Sequence, residues 1–329
     1  MNSKRGFLLL CLIFFLAMML IPLAALGGNS SGTGSGGSSS GSTVRLPAST
    51  KQFRIRDTAT GKVMSVDDNA FLRGAVAAEM SPEAPPEALK AQAVASYTYF
   101  SRLREAAKVK AGSSSDFDAC PSKWNTYVTD DEMQKRWGNS YKKYSDLLNT
   151  AAAAVAGQTI QYGGALIDAT YFAISGGCTE NSEDVWGSKC PYLVSVASPW
   201  DEFAGGYQTT ASFSESDFSA RVRKVCAAAN LTGDAGSWVG ASDQSAAGTV
   251  KTVRIGGQAL TGAQMREAFG LRSADFTLAH ANGQFTFTVK GYGHGVGMSQ
   301  TGAEAMARQG STYRDILSWY YPGTKITAI

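Results

Sequence analysis

The sequence predicts an α+β fold in which hairpins are interspersed with helices around one cleft. Three observations predict it. Short runs that alternate in polarity flank Gly-containing turns at Thr60-Gly61, Gly163-Gly164 and Asn282-Gly283, which marks hairpins. Other stretches place apolar residues at helical spacing and end in glycine. No βαβ run or parallel-sheet pattern occurs, and no internal repeat.

Taken in order, Lys4 and Arg5 precede an uncharged run, Gly6 to Leu26, of 21 residues. At roughly 1.5 Å per residue a helix of this length spans about 31 Å, enough to cross a bilayer. A cleaved signal, with small residues at Ala24, Ala25 and Gly27, and a retained single-pass anchor both fit 1–26. The length of the run favours the anchor, with Lys4 and Arg5 on the cytoplasmic side. Residues 27–43 hold seven Gly and seven Ser. They read as a flexible linker of about 20–25 Å mean reach. The globular, extracytoplasmic part is thus 44–329, with 201–290 as a candidate second lobe.

Within it, residues 53–57 and 62–66 form a first hairpin. Pro86 suits the first position of a helix that runs to about Ala107, burying Leu89, Ala93, Tyr97, Phe100 and Leu103. Residues 110–130 read as an irregular loop. A helix from about Lys142 stops at Gly157, and a hairpin over 158–172 leads into ISGGCTENSEDVW. The stretch 201–252 is the least legible, with a helix near 217–228. A short helix over 262–269 and a hairpin over 277–290 follow. The chain closes with a Gly-rich turn, a helix ending at Gly310, and another capped by Thr312 and Asp315.

The composition is that of an ordinary globular chain, 44% apolar and 17% charged, and the net charge is only +3. No basic block stands out, so nucleic acid is not an expected partner. Outside the apolar run the cysteines are Cys120, Cys178, Cys190 and Cys226. Cys178 and Cys190 bracket one loop and are the pair to join first if a disulfide forms. With only His280 and His294 in the chain, the spacings match no zinc signature, and no metal or cofactor is expected.

Three constellations could carry chemistry. The first is Glu79, an acid beside Ala, Val and Met, with Lys90, Gln92 and Tyr99 on the helix that follows. Desolvation raises the pKa of such an acid and lets it donate a proton. A helix-capping acid fits the local run equally well. The second is the loop SGGCTENSEDVW, whose Ser175, Thr179, Glu180, Asn181 and Trp186 offer polar groups for sugar hydroxyls and an indole for a sugar face. A loop whose polar groups satisfy their own backbone is the alternative. The third is GYGHGVGMSQ, with His294 and Gln300 among alternate glycines. A Ser-His-Asp triad lacks its G-x-S-x-G elbow.

The runs AAEMSPEAPPEALKAQAVASYTYF, YFAISGGCTENSEDVWGSKCPYLVSVASPWD and GYGHGVGMSQTGAEAMARQGSTYRDILSWYYPGTKI together resemble the stage II sporulation protein D family. FRIRDTATGK and GGQALTGAQMREAFGLRSADF extend the resemblance, in the family's order, over most of Gln52–Lys325. It implies a membrane-anchored lytic transglycosylase of peptidoglycan, acting in engulfment between mother cell and forespore. The substrate would be glycan stripped of stem peptides, with a cell-wall amidase and other engulfment proteins as partners. Glu79 matches the family's catalytic acid, which would form a 1,6-anhydro end at muramic acid without a second carboxylate. A non-catalytic amidase enhancer is the alternative within the same family. The sequence departs from the pattern at Tyr97, where the family has Arg, and at Ala173-Ile174. Phe172 and Asp184 stand where zinc ligands occur in some relatives, so the resemblance implies no zinc here.

Overall fold

A computed structural model describes residues 49–110 and 112–328. The expected membrane segment 6–26 and the linker 27–43 lie outside them. Among the described residues no helix is long and apolar enough to cross a membrane.

The architecture is mixed α+β, built from several small sheets and many helices. Strands β1 (Gln52–Asp57) and β2 (Val63–Asp67) form the first hairpin. Asp67 then accepts hydrogen bonds from the backbone of Asn69 and Ala70 and so caps α1 (Asp68–Glu79). After a turn over 80–85, α2 (Pro86–Val109) begins with proline in its first turn. The stretch 110–130, expected to be irregular, contributes β3 (Phe117–Ala119), which runs parallel to β1. Ion pairs from Arg54 to Asp116 and from Arg56 to Asp118 accompany that pairing.

Helices α3 (Asp130–Trp137) and α4 (Tyr141–Ala154) follow, then β4 (Gln158–Tyr162) and β5 (Ala165–Leu166) around Gly163-Gly164. Next come β6 (Tyr171–Phe172) and the short α5 (Ser182–Trp186). The illegible stretch resolves into β7 (Gln208–Ser214), α6 (Glu215–Val225) and β8 (Val239–Gln244). The chain continues through β9 (Val250–Ile255), β10 (Gln258–Thr261), α7 (Gly262–Phe269), β11 (Asp275–Ala281) and β12 (Gln284–Lys290). Asn282 and Gly283, with φ of 51° and 73°, make the β11–β12 turn. Positive φ at both central residues is what a tight right-twisting hairpin demands. The chain ends with β13 (Met298–Ser299), α8 (Gln300–Arg308), α9 (Tyr313–Tyr320) and β14 (Lys325–Ala328), which pairs with β4.

Among the described residues two apolar cores result. The first is organised on α2, against which α1, α4, α8, α9 and β4 pack. Ala88, Ala91, Ala93 and Ala95 are fully buried, and their small side chains admit neighbouring backbones closely. The second lies within residues 218–289 and is rich in phenylalanine, with Phe218 stacked on Phe285 at 3.9 Å. It fills the space between the sheets β11-β12-β7 and β10-β9-β8 and helices α6 and α7.

Candidate active site

Glu79 is the last residue of α1. It does not cap α2, whose start carries no side-chain cap. A helix C-terminus bears partial negative charge, which disfavours a carboxylate there. Burial raises the Glu79 pKa above the ordinary carboxylate range, while a hydrogen bond with Gln300 pulls the other way. No second carboxylate stands among the groups acting on it among the described residues.

Gln300 is in turn held from below. It opens α8, and its side-chain amide donates to Gln92 Oε1 at 3.3 Å. Gln92 Nε2 donates to Ser96 Oγ at 3.0 Å, one turn along α2, and Ser96 Oγ donates to Tyr171 Oη at 3.3 Å. Gln92 and Ser96 are fully buried. Burial and the Glu79 charge both raise the Tyr171 pKa well above that of a free phenol. Tyr171 therefore stays protonated beside Glu79.

The next residue, Phe172, leads to the second half of the site, since neighbours on a strand face opposite ways. Its ring lies 5.6 Å from that of His294, and His294 lies 5.2 Å from Trp186. Trp186 is 45% exposed, so one face of this stack is open to a ligand. The His294 ring is fixed at both ends. Its Nδ1 accepts from Val296 N–H at 3.2 Å, and it hydrogen-bonds to the Tyr171 backbone. Burial, then the nearby Arg266 charge, push its pKa down to about 4, so the ring is neutral at pH 7.

The alternate glycines of GYGHGVG have a steric cause. Gly291, Gly293, Gly295 and Gly297 all adopt positive φ. A Cβ on Gly293 would stand 2.6 Å from Phe172 Cβ, and one on Gly297 would stand 2.0 Å from the Thr170 carbonyl. The glycine run thus lies directly against residues 170–180, joined through the bridges Ile174–Tyr292 and Glu180–Val296.

Several side chains expected to touch substrate instead hold the loop together. Ser175 is 2% exposed; its Oγ accepts from Gly177 N–H, and its own N–H donates to Asp201. Thr179 is fully buried between the Val194 carbonyl and the Val196 N–H. Asn181 binds Asp184 and the Ser195 N–H. Glu180 Oε1 accepts from Ser245 Oγ at 2.8 Å and Thr249 N–H at 3.1 Å. It therefore ties the loop to the second core rather than facing sugar. Lys90 is paired with Glu87 at 2.6 Å, and Glu87 also accepts the Tyr313 N–H. Tyr99 is half-buried, edge-on to Phe100.

Cys178 and Cys190 are not joined by a disulfide. The loop explains why. Cys178 faces Ala197 across an antiparallel bridge, whereas Cys190 N–H donates to Ser182 Oγ at the ladder's other end. Cys178 to Ser182 is about 13 Å of extended chain at roughly 3.3 Å per residue. That is well beyond the separation a disulfide closes.

Tyr97 also proves unconnected to Glu79. Its hydroxyl donates to Asp68 Oδ2 at 2.6 Å, and Arg104 Nη1 reaches Asp68 Oδ1 at 2.7 Å. Asp68 begins the helix that Glu79 ends. The residues that sequence reasoning missed are Tyr171 and Ser96. Tyr171 and Phe172, expected in the hairpin over 158–172, instead pair in parallel with Met298 and Ser299; an apolar Tyr-Phe pair reads as a core strand, so nothing local singles out the hydroxyl.

Comparison with known proteins identifies the family of the chain. The model of a family described as Stage II sporulation protein matches residues 56–162. The Stage II sporulation protein D of Bacillus subtilis (strain 168) is 37% identical over 284 residues, covering 86% of this chain and 80% of the relative. That of Bacillus amyloliquefaciens is 37% identical over 273 residues, covering 82% and 77%. The chain belongs to the stage II sporulation protein D family. It is also 27% identical over 306 residues to the Amidase enhancer of Bacillus subtilis (strain 168), covering 78% of this chain and 40% of that protein.

Proposed function

We propose that this protein is a membrane-anchored lytic transglycosylase that cleaves the β-1,4 bond between N-acetylmuramic acid and N-acetylglucosamine in peptidoglycan. The names of its relatives support a setting in sporulation and the cell wall. The observation that carries the reaction is Glu79, a half-buried acid with a raised pKa and, among the described residues, no second carboxylate acting on it. In its protonated form Glu79 gives its proton to the glycosidic oxygen as the C1–O bond breaks. The carboxylate then takes the proton of the muramic acid C6 hydroxyl as that oxygen closes on C1. A 1,6-anhydro ring forms, no water is consumed, and Glu79 ends protonated. One acid suffices, unlike the carboxylate pair of a hydrolase.

Gln300 orients the carboxyl, and the Tyr171 hydroxyl, which the Glu79 charge reaches, steadies charge on the sugar oxygen. Trp186 offers a stacking face for an adjacent sugar. The membrane run 6–26 and the linker would hold the domain near a membrane facing the wall. The test is mass spectrometry of products from peptide-free glycan strands. Anhydro ends from the parent and none from Glu79→Gln are expected; equal cleavage by Glu79→Gln refutes the assignment. The relationship to an amidase enhancer supports a second reading. In that case Glu79→Gln stimulates a cell-wall amidase fully, and the parent cuts no glycan.

A further inference from the structure

Beside the Trp186–His294 stack the second lobe presents two arginines. The Arg272 guanidinium lies 4.3 Å from the centre of the Tyr292 ring, and Tyr292 is 47% exposed. Arg272 passes so close to Gly206 that a Cβ there would stand 2.7 Å from Nη1. Its Nε is buried without a hydrogen-bond partner. Arg266 is tied to the same segment: its carbonyl accepts from Leu271 N–H at 2.9 Å, the Arg272 carbonyl accepts from Gly293 N–H at 3.0 Å, and the Arg266 charge acts on His294. Arg266 Nε makes only a long bond, 3.4 Å, to the Leu271 carbonyl. Among the described residues neither guanidinium forms an ion pair, and both are partly buried.

Partly buried cations without counter-ions are costly to keep, and an arginine fork matches the two oxygens of a carboxylate. An exposed aromatic ring lies under that fork, and rings of this kind stack on sugar faces. We propose that Arg266, Arg272 and Tyr292 form a subsite for an acidic sugar. The sugar packs on the side of Tyr292 that Arg272 leaves free, and its carboxylate reaches past the ring edge to the two guanidiniums. This deepens, and rests on, the wall-glycan reading: the acidic sugar is muramic acid, whose lactyl group ends in a carboxylate where no peptide is attached. The subsite therefore discriminates by charge, at a position distinct from the Glu79 chemistry.

The test measures binding of the full chain, carrying Glu79→Gln to keep the glycan intact, to immobilised strands. Three strands are compared: peptide-free, peptide-free with every carboxylate converted to a methylamide, and peptide-bearing. Blocking the carboxylates is expected to weaken binding about tenfold, the scale of one charge-assisted contact. Adding Arg272→Gln or Arg266→Gln should weaken binding of unblocked strands by a similar factor and leave blocked strands unchanged. Equal binding of blocked and unblocked strands overturns the proposal without any arginine variant. So does an arginine effect confined to peptide-bearing strands, which would place the recognised anion on the peptide. Product analysis with the parent chain separates this from the Glu79 reading. Charge-selective binding without cleavage sinks the reaction and keeps the subsite. Cleavage to anhydro ends with no charge preference does the reverse.

Discussion

The triad Tyr97, Asp68 and Arg104 permits a sharp test of what supports Glu79. Asp68 is 2% exposed and accepts from the Tyr97 hydroxyl at 2.6 Å and from Arg104 at 2.7 Å. Tyr97 and Arg104 are seven residues apart on α2, two turns, and so share a face. The Arg104 guanidinium also lies 4.0 Å over the Phe53 ring. Tyr97→Phe removes one hydrogen bond to a buried charge, worth about 1.5–3 kcal/mol. Arg104→Met leaves the Asp68 carboxylate buried and uncompensated, at about 3–5 kcal/mol. For a domain of this size each kcal/mol moves the melting temperature by about 2–4 °C. The expected losses are thus about 3–12 °C for Tyr97→Phe and about 6–20 °C for Arg104→Met. Activity should behave differently. Asp68 and Glu79 are at opposite ends of α1, about 16 Å apart at roughly 1.5 Å per residue. Assayed well below its melting point, Tyr97→Phe should keep kcat/KM on peptide-free strands within about twofold of the parent. A variant that melts like the parent but has lost its activity would refute the reasoning and put Tyr97 in the site.

Other outcomes follow from the same geometry. Glu79→Gln should raise the melting temperature at pH 7, because it removes a charge from a desolvated helix end. The Glu79 pKa is raised in the fold, so its contribution is full below the unfolded value and declines as pH rises past it. The gain from Glu79→Gln should therefore vanish below about pH 4; a gain that persists there contradicts the burial argument. His294 has the opposite sign. With a folded pKa near 4 against an ordinary value of 6.5, it contributes stability above pH 6.5 that is lost as pH falls toward 4. His294→Gln should flatten the acid limb of a melting-temperature profile between those values, and an unchanged limb would contradict it. Gly297→Ala should cost roughly 3 kcal/mol or more. Its Cβ would stand 2.0 Å from a backbone carbonyl at φ 85°, and parent-like melting would show that the contact can relax.

What could be read in advance depended on whether a feature was local. Gly163-Gly164 and Asn282-Gly283 announce hairpins because a tight turn needs positive φ at the turn itself. The helix that delivers Glu79 left no such trace. Buried residues occupy Asp68, Asn69, Phe71, Leu72 and Gly74 to Ala77, so the stretch lacks the polar stripe by which a half-exposed helix is recognised. The stretch 201–252 was opaque for a related reason: β8 is exposed along most of its length and reads as a polar linker.

The polar loop SGGCTENSEDVW misled in the opposite direction. Its density of hydroxyls and acids suggested a sugar-binding surface, yet Ser175, Thr179 and Asn181 are consumed by the loop's own backbone and near neighbours. Glu180 binds residues 65 and 69 positions away. Burial decides between the two uses, and burial is a property of the whole fold. The same holds at Tyr171, whose backbone holds His294 and whose hydroxyl bonds Ser96 within reach of the Glu79 charge. One short strand thus bears on the aromatic stack through Phe172 and on the acid's surroundings through Tyr171. The glycines at 293 and 297 exist to let the neighbouring chain lie flat against it. The glycines of the third motif therefore act indirectly, by letting the chain pack against the strand that carries Tyr171 and Phe172.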